Sequence, residues 1–376
     1  EEDRDIEKRM ASALTFGGTR SWDALLWLRN EGYCVKLFYF QPDVARELIR
    51  RDVPFVYTTE GDNWAHAMAA IGYDDASREL LIHDPSGMPW GRVLVDEVAV
   101  HAGPFAPECL AVVPVDMAEK LDCIPDQARL SLEAWHEYRH VYDHGGVKAA
   151  LAVLERLEKQ CPEHPTCKRL RSIHMANTGQ LDQATRISES LLSEYPESVQ
   201  CRHDLITLYY RLRNSARLLE LFRSIVEQRQ LPVTSSTRTF PAITQVVEYA
   251  NLLMASAADH DLAMSYLKRA LFKGSSEAEA YHAMGRLYTI RGDDEAAILP
   301  YMCAALLRHE HDVFARVACD ALARVGRLED GLLFLRRRAE DAGVKALKAG
   351  VWRTLIEALL DYGYPEEALK TLDEVS

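Results

Sequence analysis

No apolar run in these 376 residues approaches the roughly 18 needed to cross a bilayer. The longest, such as DALLWL and ECLAVVPV, are core-sized. No basic segment followed by an apolar stretch opens the chain, so neither membrane insertion nor secretion is indicated. The eight cysteines are scattered without a CxxC spacing, which removes a zinc ribbon or a redox dithiol and reads as buried thiols of a reducing cytoplasm. Basic residues are in deficit, 44 against 57 acidic for a net charge of −13, and no local cluster of cations offsets it. A phosphate backbone is therefore an unsuitable partner. The sequence points to no cofactor and leaves the oligomeric state open. It starts at Glu1 inside a helix-like stretch, EEDRDIEKRMASAL, as a fragment or processed product would.

With 48% hydrophobic and 27% charged residues the chain can bury a large core. Its periodicity changes partway along. Up to about Val115, helical stretches at 3–14, 21–31 and 42–50 mix with β-type runs at VPFVYTT, HAMAAIGYD, RELLIHD and LAVVPV. From about Ile124 onward only helical stretches rich in Leu, Ala and Arg follow, separated by short turns. The expected division is an α+β domain over 1–118 and an all-α array over 119–376.

The second part repeats. A turn glycine, a small residue five positions later and a later Pro or Ala recur as Gly145-Ala150-Pro162, Gly179-Ala184-Pro196, Ala258-Ala263-Ala270 and Gly292-Ala297-Ala304. They recur again at Gly326 and Gly363-Ala368, mostly 34 apart, with a weaker copy at Asn214. A run of Ser, Thr and Pro, Leu231 to Ala242, interrupts the period. About seven units resembling the tetratricopeptide repeat are expected, stacked into a solenoid that buries faces no single helix pair could bury alone. The resemblance implies that the first helix of each pair lines a groove for a peptide or protein partner. Arg211, His282, Arg286 and Arg353 are the residues expected to face it.

In the first part the turn DDAS, centred near residue 75, lies between HAMAAIGYD and RELLIHDP. In a tight hairpin His66 would then face Asp84 directly, where Cβ atoms come within about 4.5–5.5 Å. A carboxylate there could hold an imidazole in one tautomer, as a nucleophile-activating base requires. The order FGGTRSWDALLWLRNEGY, VARELIRRDVPFVYTT, AHAMAAIGYD, ELLIHDP and ECLAVVPV resembles the papain-like cysteine peptidases that trim bacteriocin leaders, family thirty-nine of that class. The similarity covers residues 4–116. It implies a papain-like fold, His66 as the base and Asp84 as its orienter, with a cysteine nucleophile that would lie upstream of Glu1. Cys34 falls on the wrong element for that role. Such an enzyme would be a thiol hydrolase with the array recruiting its partner, and without the nucleophile the chain would be a non-catalytic scaffold for protein interaction. A third reading comes from AWHEYRHVYDHGG. His136, Glu137 and His140 match HExxH, a zinc hydrolase pattern, with His144, Glu155 or Glu158 as a third ligand. Arg139 sits where such sites are usually apolar, which argues against it.

Overall fold

The computed structural model describes residues 21–61, 64–85, 90–100, 104–105, 107–196, 198–227, 243–308, 311–341 and 345–375. The helix expected at 3–14 and the interrupting run 231–242 lie outside them. The described residues pack as two compact units that part between Ser215 and Ala216.

The described part of the first unit begins with helix α1 (Ser21–Asn30), strand β1 (Tyr33–Tyr39) and helix α2 (Pro42–Arg50). Strands β2 (Phe55–Gly61), β3 (Trp64–Asp74), β4 (Glu79–His83) and β5 (Gly91–Leu94), the short helix α3 (Val95–Val100) and strand β6 (Glu108–Pro114) follow. The strands form one sheet in the order β1-β6-β2-β3-β4-β5, in which every pairing is antiparallel. Apolar residues on both faces of β1 and β6 are buried, among them Val35, Leu37, Phe38, Cys109, Ala111 and Val113. Helices must therefore cover both faces.

Strands end at β6, yet residue 118 does not divide the packing. After a 3₁₀ turn (Val115–Leu121), helix α4 (Asp126–Gln160) lies against β1, and one buried cluster runs from Leu25 through the sheet to Leu132, Leu154 and Leu170. Helix α4 is two helices meeting at Gly146, whose φ of 76° is non-helical. Helices α5 (Pro165–Asn177), α6 (Leu181–Glu194) and α7 (Val199–Arg211) complete the unit.

The second unit is all helix: α8 (Ser215–Glu227), α9 (Ile243–Leu253), α10 (His260–Lys273), α11 (Ala278–Ile290), α12 (Asp294–Leu307), α13 (Asp312–Arg324), α14 (Leu328–Asp341), α15 (Lys345–Asp361) and α16 (Pro365–Val375). Helices α9 to α16 of this unit, and α4 to α7 of the first, pack against their neighbours in sequence, and the turns explain why. Gly179, Gly292, Gly326 and Gly363 take φ of 78–86°, and Arg213 takes 53°. Just past each, an N–H reaches back to a carbonyl five residues earlier: Gln180 to Met175, Asn214 to Tyr209, Asp293 to Tyr288, Arg327 to Leu322 and Tyr364 to Leu359, at 2.8–3.0 Å. This is the left-handed helix stop that returns the chain antiparallel. Five residues after the glycines stand Ala184, Ala297, Gly331 and Ala368, all buried, where the two helices of a pair touch. The helical part is thus built of tetratricopeptide-like hairpins.

Candidate functional site

The β3–β4 hairpin departs from the expected register. Its pairs are Asp74↔Glu79, Tyr73↔Leu80, Gly72↔Leu81, Ala70↔Ile82 and Ala69↔His83. Two features move it. The loop has four residues, Asp75–Arg78, closed by Asp74 Oδ1 accepting from the Ala76 and Ser77 amides at 2.9 and 3.3 Å, with Arg78 left-handed at φ 55°. A bulge between Ala70 and Gly72 then adds a residue to β3. Extending the last pair one step sets Met68, not His66, opposite Asp84, which already lies past the end of β4. The direct His66–Asp84 opposition is therefore corrected: His66 pairs with Thr59 of β2 and stands two residues further along. Its side chain is outside the described set. Asp84 is half-buried and sits near Tyr57, whose phenol is pushed up by burial first, then by Cys109 and the Asp84 charge.

The HExxH residues do not converge. His136 Nε2 meets Glu108 Oε2 at 2.9 Å, Glu137 pairs with Arg156, and His140 lies 3.8 Å from Asp23 with its ring on His144. Each histidine is drawn to a different carboxylate, and the would-be base is neutralised by a guanidinium. Among the described residues no cluster has the ligands for a metal. The zinc reading fails on this geometry.

The turns bring out a recurrence of which the sequence reading singles out only His282 and Arg353 for the groove. Ten residues before the positive-φ residues Gly146, Gly179, Arg213, Gly292, Gly326 and Gly363 of the helical part stand side chains able to carry positive charge, namely His136, Arg169, His203, His282, Arg316 and Arg353, while the α9–α10 pair has Glu248 at the equivalent position. The signal was present as the 34-residue period, but only the turn φ values fix its phase.

In the first unit the chain fills two of these positions itself. Glu108, at the start of β6, accepts from His136. Burial alone would raise its carboxyl, but the His136 hydrogen bond and the charges of His136, Arg169 and Arg139 hold it below the usual carboxylate range. Arg169 donates to both oxygens of Asp204 at 2.7 and 3.2 Å, and its guanidinium lies 4.0 Å from the Trp135 ring centre and 5.1 Å from that of Phe105. Phe105 is buried with Leu191 and Cys201. His203 is exposed.

In the second unit the positions are open in differing degrees. His282 packs its ring against Phe314 and Tyr301 at 5.0 and 5.5 Å, and burial, aided by Arg286, lowers its pKa. Arg286, one turn further along α11, is exposed and among the described residues forms no ion pair. Arg316 is held by Asp320 and Asp361 at 2.9 and 2.8 Å, which raises it. Arg353 is 70% exposed and only 3.8 Å from Glu357. Arg211, expected on the same face, instead donates to the Ala176 carbonyl at 2.7 Å, serving the end of α5.

Thiol chemistry finds little purchase. Burial pushes up the pKa of Cys109, Cys123, Cys161, Cys167, Cys201 and Cys319, leaving them as thiols. No helix among the described residues is long and apolar enough to cross a membrane.

No known family model matches the chain, and no curated protein matches it. Solved structures are similar in part. A tetratricopeptide repeat protein from Parabacteroides merdae is 13% identical, with a TM-score of 0.45 over 65% of this chain and 92% of its own. PilW, a type IV pilus biogenesis factor, is 15% identical, with a TM-score of 0.43 over 59% and 98%. YrrB, described as a tetratricopeptide protein with an unusual peptide-binding site, is 13% identical, with a TM-score of 0.36 over 52% and 95%.

Proposed function

We propose that the chain is a protein-interaction scaffold whose second unit binds a peptide carrying an acidic residue close to an aromatic one, on the face of α11 and α13 that holds His282, Arg286 and Phe314. The observation that supports it most is the recurrence of a cation-capable residue at one hairpin position, together with what the first unit places there. Phe105 and Glu108 lie three residues apart, the aromatic ring against Arg169 and the carboxylate on His136. An incoming segment of the same chemistry suits His282 and Arg286. The aromatic side chain meets Phe314 and the imidazole, and the carboxylate meets Arg286, which among the described residues has no acid of its own. In a chain of net charge −13 such recognition works at short range rather than by steering from a distance. Arg316 and Arg353 are less available, the first because two carboxylates neutralise it.

The scaffold reading takes precedence over a thiol hydrolase built on His66 and Asp84. Those two positions are not directly opposed, and six of the cysteines are held protonated. The test is selection of binding peptides from a random library, followed by titration against variants. Peptides rich in neighbouring aromatic and acidic residues are expected, with affinity reduced at least about tenfold, or about 1.4 kcal/mol, by Arg286→Glu. Arg353→Glu should have a smaller effect. Binders indifferent to both Arg286→Glu and His282→Ala would contradict the proposal.

A further inference from the structure

The two groups that the first unit places on its own helices come in a fixed order. Phe105 stands three residues before Glu108 in the stretch Pro104-Phe105-Ala106-Pro107-Glu108. The carboxylate lies on His136 of α4, ten residues before the turn at Gly146. The ring lies on Arg169, at the same position of α5, one repeat further along. The chain therefore runs from the later helix to the earlier one, with the aromatic residue leading and the acid following. On a regular strand residues three apart face opposite sides. Here Phe105 belongs to the turn ahead of β6 and only Glu108 to the strand, so both reach the helices.

The second unit divides its groups between equivalent helices in the same sense. His282 and Arg286 stand on α11, the earlier helix, and Phe314 on α13, the later. Tyr281 holds on α11 the repeat position of Trp135, the other ring against Arg169. Arg316, the equivalent of Arg169, is already held by Asp320 and Asp361, so a further carboxylate at α13 would meet like charge. We infer that the partner segment read by the second unit has the pattern aromatic-x-x-acid, in that order, and runs from α13 to α11. The inference rests on the reading of the α11–α13 face proposed above and adds the order and spacing of the ligand. Three residues of extended chain span about 10 Å. That carries one side chain to each of two helices whose own side chains meet, as the His282 and Phe314 rings do at 5.0 Å. With the order reversed, the same chain direction sets the carboxylate beside Asp320 and Asp361. Turning the chain around instead reverses the lean of both side chains along it.

Fluorescence anisotropy on the full chain tests this with two labelled peptides of equal composition and charge, one built on the chain's own PFAPE and one on its reversal, EPAFP. The prolines in both restrict the free peptides before they bind. PFAPE should bind at least about tenfold more tightly than EPAFP. Arg286→Glu should weaken PFAPE at least about tenfold, and a peptide with lysine in place of the acid, PFAPK, should bind that variant better than PFAPE does. Arg286 is exposed, and an unchanged thermal midpoint of the variant verifies that it folds. Equal binding of PFAPE and EPAFP would overturn the inference while leaving the recognition face in place, as would library-selected peptides in which the acid leads. PFAPE that fails to bind up to about 1 mM, where selected peptides do bind, would overturn it as well. A library that yields no acidic, aromatic binders would instead overturn the reading of the face on which it rests.

Discussion

Arg169 shows how one side chain can be essential to the fold for reasons unrelated to surface charge. It is 8% exposed, held by both oxygens of Asp204 and lying against two aromatic rings, so its removal strands a half-buried carboxylate. Arg169→Met should cost about 3–5 kcal/mol in urea unfolding, the usual penalty of breaking a buried pair. The double variant Arg169→Met/Asp204→Leu should regain a large part of it. Acid should act on the first unit in two stages. Burial lowers the pKa of His164 and His174 from 6.5, so the unfolded chain takes up protons first and stability declines as pH falls through that value. Glu108, with its carboxyl depressed from 4.5, contributes stability that is whole above that pH and is lost as pH falls through its lower folded value. Urea midpoints at pH 7.5, 5.5 and 4 measure the trend, and a midpoint that rises between 7.5 and 5.5 would contradict it.

At the scale of elements, close approach decides the hairpins. A Cβ at Gly285 of α11 would come within 2.6 Å of the Tyr301 ring of α12. At Gly331 of α14 it would meet the Cys319 sulfur at 2.9 Å and that residue's backbone at 3.0 Å. Gly285→Ala and Gly331→Ala should each destabilise by about 1–3 kcal/mol, read as a lowered thermal midpoint. The second should suffer more, since a ring can tilt while backbone must move with its helix. These two glycines also mark what could be read in advance. The period, the turn glycines and the small residues five positions later were legible because each stands for a local steric need. The register of β3 against β4 was not. A two-residue shift arose from the Asp74-capped loop and the bulge before Gly72, where Leu81 would crowd any Cβ at 2.6 Å, and neither feature alters the alternation of apolar residues. Strand β5 and helix α3 were missed for want of length. Likewise HExxH matched as letters, while the carboxylates that claim its histidines, Glu108 and Asp23, come from distant parts of the chain.

For the whole molecule, the change from sheet to helix near residue 118 is not a boundary between cores. The sheet, α4 and α5 share one apolar cluster, so a chain cut at 118 should lose the cover of β1, whereas the compact units part at Ser215. Limited proteolysis should accordingly spare 115–126. In the second unit, the proposed recognition of an acidic, aromatic segment falls on the α11–α13 face. Amide hydrogen exchange with and without a selected peptide tests it most directly. Slowed exchange concentrated in α11 and α13, and abolished by Arg286→Glu, is the predicted result. Protection confined to β3 and β4 of the first unit, with α11 and α13 unchanged, would contradict it.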